Sequence, residues 1–150
     1  MVFYESEFLI ETEIPQNELI ISRTDLSGII TYANETFCEI SGYSMDELIG
    51  RSHNIIRHPD MPRSVFADLW NTIKAEKQWV GIVKNFRKDR GFYWVHTIVS
   101  GVYKNGELVE YKSLRTPIGA EDKLKYQKLY DKIRKDNGED IRKIIYEKEI

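Results

Sequence analysis

Apolar and polar positions first fall into a readable pattern at Leu19. Leu19-Ile20-Ile21-Ser22-Arg23-Thr24 reads as a buried strand, Asp25-Leu26-Ser27-Gly28 as a turn, and Ile29-Ile30-Thr31-Tyr32 as the partner strand of a hairpin. Asn34 is suited to cap a helix over 35–41, which Gly42 stops. Ser44-Met45-Asp46-Glu47 has the spacing of a capping box and opens a short helix ending at Gly50. A polar segment over 51–61 follows. Asp60 reads as an N-cap and Pro62 as the opener of a helix to about residue 76. Phe66, Leu69, Trp70 and Ile73 recur at helical spacing and give that helix one apolar face.

The period then changes from helix to strand. Residues 78–87 place Trp79, Gly81, Val83 and Asn85 on one face. Lys88-Asp89-Arg90-Gly91 reads as a turn, 92–103 as a long strand, Asn105-Gly106 as a tight hairpin turn, and 107–116 as a last strand ended by Pro117. The predicted class is α+β: a five-stranded antiparallel sheet with helices inserted after the second strand, followed by a C-terminal helix. From 120 the spacing is helical again, with Tyr126, Leu129, Tyr130 and Ile133 on a narrow stripe that breaks at Asn137-Gly138 and resumes at Ile141, Ile144 and Ile145. This divides the chain into an N-terminal cap (1–18), a central domain (19–118) and a helical segment (119–150). The cap packs either on its own domain or on a second copy. The last segment either folds back on its domain or serves as a signalling or dimer helix.

Composition narrows the function. Of 150 residues, 41% are apolar and 31% charged, the balance of an ordinary globular chain rather than a disordered one. A net charge of −2 gives no basic excess for nucleic acid or an anionic membrane surface. Cys38 is the single cysteine, so no internal disulfide forms, and it reads as a small buried apolar residue. No apolar run is long enough to span a bilayer, and the acidic N-terminus lacks the form of a signal peptide, which leads us to expect a cytoplasmic protein. No Ser-His-Asp order, P-loop or G-x-G-x-x-G occurs, so an enzyme is not expected.

The densest chemistry lies in His53-Asn54-Ile55-Ile56-Arg57-His58-Pro59-Asp60-Met61-Pro62. Two imidazoles, a guanidinium, an amide and a carboxylate beside apolar residues are the make-up of a binding wall. Arg57 is the best anion donor, since its planar fork matches phosphate oxygens; its plainer reading is an ion pair with Asp60 or Glu47. Asn85 carries both a donor and an acceptor and suits the edge of a heterocycle; otherwise it simply faces outward. Trp79 and Trp70 are core residues on the plainer reading and pocket lining on the sharper one. His53, His58 and Asp60 match no metal-ligand spacing, and no metal is expected. Lys84, Arg87, Lys88 and Arg90 read as a solvated basic turn.

Three motifs carry a family resemblance. Asp25-Leu26-Ser27-Gly28-Ile29-Ile30-Thr31-Tyr32-Ala33-Asn34 and Ser41-Gly42-Tyr43-Ser44-Met45-Asp46-Glu47-Leu48-Ile49-Gly50 resemble the entry signatures of PAS domains. The 53–62 segment, with Gly81-Ile82-Val83-Lys84-Asn85 and Tyr93-Trp94-Val95, resembles the FAD-binding PAS domains of the bacterial aerotaxis (energy-taxis) receptor type over roughly residues 12–130. The resemblance implies a PAS fold and non-covalent FAD. It implies cofactor-binding roles for Asn34, His53, Arg57, His58, Asp60, Trp70, Trp79 and Asn85, with Asn34 also capping its helix and His58 and Asp60 acting directly or by shaping the wall.

It also implies redox or energy sensing relayed to a membrane-bound chemotaxis-type transducer or another output domain, with a homodimer through the terminal helices as a further expectation. A chain complete at Ile150 would be the stand-alone PAS half of a split energy-taxis system. A piece of a longer protein would feed a transducer, kinase or cyclase. The readings from other classes are an interaction module without flavin and a sensor of a different small ligand. Haem is not expected, because the 62–76 helix has no His. A light-driven cysteine adduct is not expected either, because 51–62 has no Cys.

Overall fold

The computed structural model describes residues 10–139. Strand β1 (Ile20–Thr24) pairs antiparallel with β2 (Ile30–Ala33) around a turn in which Gly28 adopts φ +90°. Asp25 Oδ1 fixes that turn by accepting the amides of Ser27 and Ile29. Helix α1 (Glu35–Ser41) starts at Asn34, whose side chain accepts the Phe37 amide, and ends at Gly42. Helix α2 (Met45–Leu48) opens on the expected capping box: Ser44 Oγ accepts the Glu47 amide, and Glu47 Oε1 accepts the Ser44 amide.

The polar segment contains a 3-10 turn, His53–Ile56, before helix α3 (Arg63–Lys74). Strands β3 (Trp79–Phe86), β4 (Phe92–Lys104) and β5 (Glu107–Pro117) follow, and helix α4 (Ala120–Asp136) closes the described chain. Asn105 and Gly106 both take positive φ in the β4–β5 turn, as an Asn-Gly hairpin requires.

The sheet order is β2-β1-β5-β4-β3, antiparallel throughout. This leaves β3 at an edge, where unpaired backbone groups need cover. The segment 57–61 supplies it: Arg57 bridges to Asn85, and the Lys84 amide donates to Met61 Sδ. At the start of β4, the Thr12 amide donates to Phe92 and the Phe92 amide to Ile10, and Ile14 is buried in the core. Residues 10–14 of the expected cap therefore pack on this domain; residues 1–9 lie outside the described residues.

Several expectations change, among them Cys38, which is half-buried rather than buried. Asp60 is not the N-cap of α3; Pro62 holds that position without a side-chain bond, because the Asp60 carboxylate turns instead to Lys84 Nζ at 2.9 Å. Lys84 is accordingly buried, not part of a solvated turn. The stripe on α4 is only half right: Tyr130 is buried but Leu129 is exposed, and Arg134, one turn beyond Tyr130, is buried in its place. Helix α4 folds back on the sheet, where the Tyr130 hydroxyl donates to the Ile82 carbonyl and its ring stacks on Trp94 at 6.4 Å. Ile141, Ile144 and Ile145 lie outside the described residues.

Candidate functional site

A cavity of about 730 Å³, its mouth included, lies between the inner face of the sheet, the 3-10 turn and α3. Each element reaches it for a periodic reason. Val83 and Asn85 alternate inward on β3, Thr97 and Val99 on β4, and Tyr111, Ser113 and Arg115 on β5. Phe66, Leu69, Trp70 and Ile73 are the apolar face of α3. The walls are mostly apolar, with a few polar groups set among them, which is the usual constitution of a small-molecule site.

Of the residues singled out in the sequence, His53, Arg57, Trp70 and Asn85 line this cavity and Asn34, His58, Asp60 and Trp79 do not. The Asn34 side chain is spent on backbone, accepting the amides of Ile21 and Phe37 and donating to the Leu19 carbonyl. His58 is buried against the edges of Phe86 and Phe92, and its Nδ1 accepts the Asp60 amide. Trp79 donates from Nε1 to Asp68 at 2.9 Å, which ties β3 to α3. Its ring covers Gly81 so closely that a Cβ there would lie 2.4 Å away. Arg57 stacks over Phe66 at 4.0 Å, rather than pairing with Asp60 or Glu47. Trp70 meets Tyr111 edge to face at 6.0 Å and approaches Gly28, which has no side chain to obstruct it.

Arg115, Ser113 and Thr97 were not singled out in the sequence. The signal was present: extending the alternation of β5 from Tyr111 places both Ser113 and Arg115 inside. The Ser113 and Thr97 hydroxyls and Arg115 Nε are buried without a protein partner, and all three residues line the cavity. Buried polar atoms are rarely left so, which makes this end of the cavity a candidate place for a ligand's polar edge.

The model of the PAS fold matches residues 30–115. The chain belongs to the PAS family. This PAS domain is related to the aerotaxis receptor of Escherichia coli (strain K12), with 42% identity over 119 residues, 79% of the chain and 24% of the receptor. A nitrogen fixation regulatory protein of Klebsiella pneumoniae is 32% identical over 71% of the chain and 22% of that protein. The chain thus spans about a quarter of the length of these curated relatives. Among solved structures, the blue-light photoreceptor Aureochrome1 LOV in its dark form superposes with a TM-score of 0.64 at 23% identity, covering 79% of this chain and 86% of that one. A PAS domain from Colwellia psychrerythraea gives 0.61 at 23% identity, covering 67% and 86%. Both have the α+β arrangement expected from the sequence, and the relatives place the chain among sensory PAS domains.

Within this PAS domain the two faces of the sheet carry different electrostatics. On the cavity side, His53 Nε2 lies 3.2 Å from Arg115 Nη1 and 3.0 Å from Ser22 Oγ, and Arg115 Nη2 donates to Ser22 Oγ at 2.7 Å. A guanidinium only donates, so Nε2 is the unprotonated nitrogen. Burial, reinforced by the Arg115 charge, pushes the His53 pKa down to about 3, and the ring is neutral. Burial also pushes Arg115 down to about 10, which leaves it charged at neutral pH. Tyr93, opposite Asn85 in the ladder, is pushed up to about 12 by burial and stays protonated.

On the other face, Lys84 Nζ donates to Asp60 Oδ2 and to Gln127 Oε1, each at 2.9 Å, and Arg134 Nη1 lies 3.6 Å from Asp60 Oδ1. Adjacent residues thus serve opposite faces: Asn85 the cavity and Lys84 helix α4. Among the described residues, no group of three or more His, Cys, Asp or Glu could hold a metal ion, and no helix is long and apolar enough to cross a membrane.

Proposed function

We propose that this PAS domain is a redox or energy sensor that binds FAD non-covalently and passes the cofactor's state to a chemotaxis-type transducer. The observation that carries the reading is the cavity itself, a largely apolar space into which Asn85 and the unpartnered polar atoms of Thr97, Ser113 and Arg115 converge. A flat heterocycle with one polar edge fits such a space. The resemblance to FAD-binding PAS domains chooses flavin among such ligands. It is supported by a neighbouring solved light-oxygen-voltage domain, described with a flavin analogue, at TM-score 0.62 and 20% identity.

A bound flavin would supply reversible electron uptake. Asn85 would present its carboxamide to the ring's polar edge, and Thr97 and Ser113 their hydroxyls. Phe66, Leu69, Trp70 and Ile73 would exclude water from the ring face. Arg57, held at the wall by Phe66, would take the pyrophosphate. His58, Asp60, Asn34 and Trp79 would act by shaping the wall that holds the other residues.

Signal transfer needs different contacts in two states. The Asn85 carboxamide can turn to exchange donor for acceptor, and its backbone is bridged to Arg57. Lys84 is covalently next to it, and its ion pair with Asp60 reaches Arg134 on α4. A change at the Asn85 edge therefore has a short packed route to the terminal helix and on to a partner. That partner is a membrane-bound transducer met in the cytoplasm, or a second copy through the terminal helices.

The deciding experiment is an absorbance spectrum of the freshly purified protein, followed by heat release and chromatography of any chromophore. Released FAD is expected. A colourless protein that takes up no added FAD, yet still binds its partner, would overturn the cofactor and leave a docking module.

A further inference from the structure

Arg134 lies in the last turn of α4 and does not line the cavity, yet it is 4% exposed. Its Nη1 stands 3.6 Å from Asp60 Oδ1, on a carboxylate whose Oδ2 takes Lys84 Nζ at 2.9 Å. Lys84 donates in turn to Gln127 Oε1, so α4 meets this carboxylate twice, directly and through a lysine. Asp60 belongs to segment 57–61, which covers the β3 edge and whose first residue, Arg57, lines the cavity. Backbone does little to fasten that segment. Pro59 and Pro62 have no N–H to give, the Asp60 amide is spent on His58 Nδ1, and the Met61 amide on the His58 carbonyl. Against β3 it has the Arg57–Asn85 bridge and a long 3.4 Å contact from the Lys84 amide to Met61 Sδ. The charged contacts of Asp60 are the stronger tie.

We propose that Arg134 is a positioning residue for the ligand: by holding the Asp60 carboxylate from behind the sheet, it fixes the cavity wall at Arg57 and sets how tightly the cavity retains what it binds. Affinity is thereby coupled to the docking of α4, although no residue of that helix lines the cavity. Such coupling is reciprocal: whatever shifts α4 changes ligand affinity, and ligand binding secures α4 by the same factor. A partner that grasps the terminal helix would therefore control the loading of the site. The inference rests on the flavin reading for its probe.

The test compares wild-type protein with Arg134→Met and Tyr130→Phe. The first removes one cation from Asp60 and leaves that carboxylate with Lys84. The second removes the Tyr130 bond to the Ile82 carbonyl, which also fastens α4, and leaves Asp60 untouched. Two quantities are measured. One is the Kd for added FAD, followed by flavin fluorescence. The other is hydrogen exchange at the Asp60 and Met61 amides of the ligand-free protein. Arg134→Met is expected to weaken FAD binding roughly tenfold and to speed exchange at both amides. Tyr130→Phe should lower the Tm yet leave affinity and exchange near wild type. Should Arg134→Met not fold, Arg134→Gln, which also removes the charge, takes its place under the same expectations.

Where FAD binds, affinity decides. An unchanged Kd in Arg134→Met overturns the proposal. So does an equal loss in Tyr130→Phe, which would make Arg134 one fastening of the helix among others. Where wild-type protein takes up no FAD, the flavin reading fails, and exchange decides the role of Arg134 by the same comparison. Faster exchange in Arg134→Met alone upholds a positioning residue; any other pattern overturns it.

Discussion

Among the described residues two cationic centres are buried, one on each face of the same sheet, and they are built on opposite plans. Behind the sheet, Lys84 and Arg134 share the Asp60 carboxylate, at 2.9 and 3.6 Å, and Arg134 also pairs with Asp131, so the two cations meet two carboxylates. In front, Arg115 has a neutral imidazole and a hydroxyl but no carboxylate among the described residues. A matched cluster joins elements, here the β3 edge segment, β3 and α4. An unmatched one leaves its field directed into the cavity. The difference separates a cluster that ties elements together from a charge left open to the cavity.

Breaking the rear cluster should have the largest effect. Asp60→Ala leaves Lys84 and Arg134 buried without their shared anion, a loss of about 3–5 kcal/mol. It should also loosen α4; urea unfolding, with proteolysis of the terminal helix, measures both.

Next is the wall between the two centres. Gly81→Ala places a Cβ against the Trp79 ring, where the distance would be 2.4 Å. The ring must leave its seat and the Trp79–Asp68 bond weakens, costing about 1–3 kcal/mol. Tryptophan fluorescence and thermal unfolding follow both changes.

On the proposed reading, in which the carboxamide serves a ligand, Asn85→Ala should alter the scaffold by no more than about 1 kcal/mol. It should abolish the redox-dependent response to a partner. A variant that keeps both flavin and response would remove the proposed trigger.

The smallest effect belongs to the surface and calibrates the rest. Lys88 and the Ser44 amide hold the Glu47 carboxyl down at about 2. Its contribution is therefore present above the ordinary value near 4.5 and is lost as pH falls towards 2. Glu47→Gln should flatten stability against pH across that window and leave the curve above it unchanged.

Local patterns were legible because local forces set them. The Asn34 cap, the Ser44–Glu47 box, the Asn105-Gly106 turn and the two-residue period of the strands each involve groups only a few residues apart. Arg57, Asn85, His53 and Trp70 could be marked by residue type and family likeness, and the cavity brings these four together. Asp60 was misread as a helix cap because its partner, Lys84, lies 24 residues on. Arg115 was passed over because an arginine near a strand end ordinarily points to water, and its neighbours Ser22 and His53 are 93 and 62 residues away.

The sequence by itself determined the elements, their order along the chain and the α+β class, since side-chain period and turn chemistry are short-range. Only the tertiary structure decided which buried charge is paired and which is not. Pairing depends on distances between segments that the chain brings together only on folding, and a difference of a few ångströms there separates a clasp from a binding site.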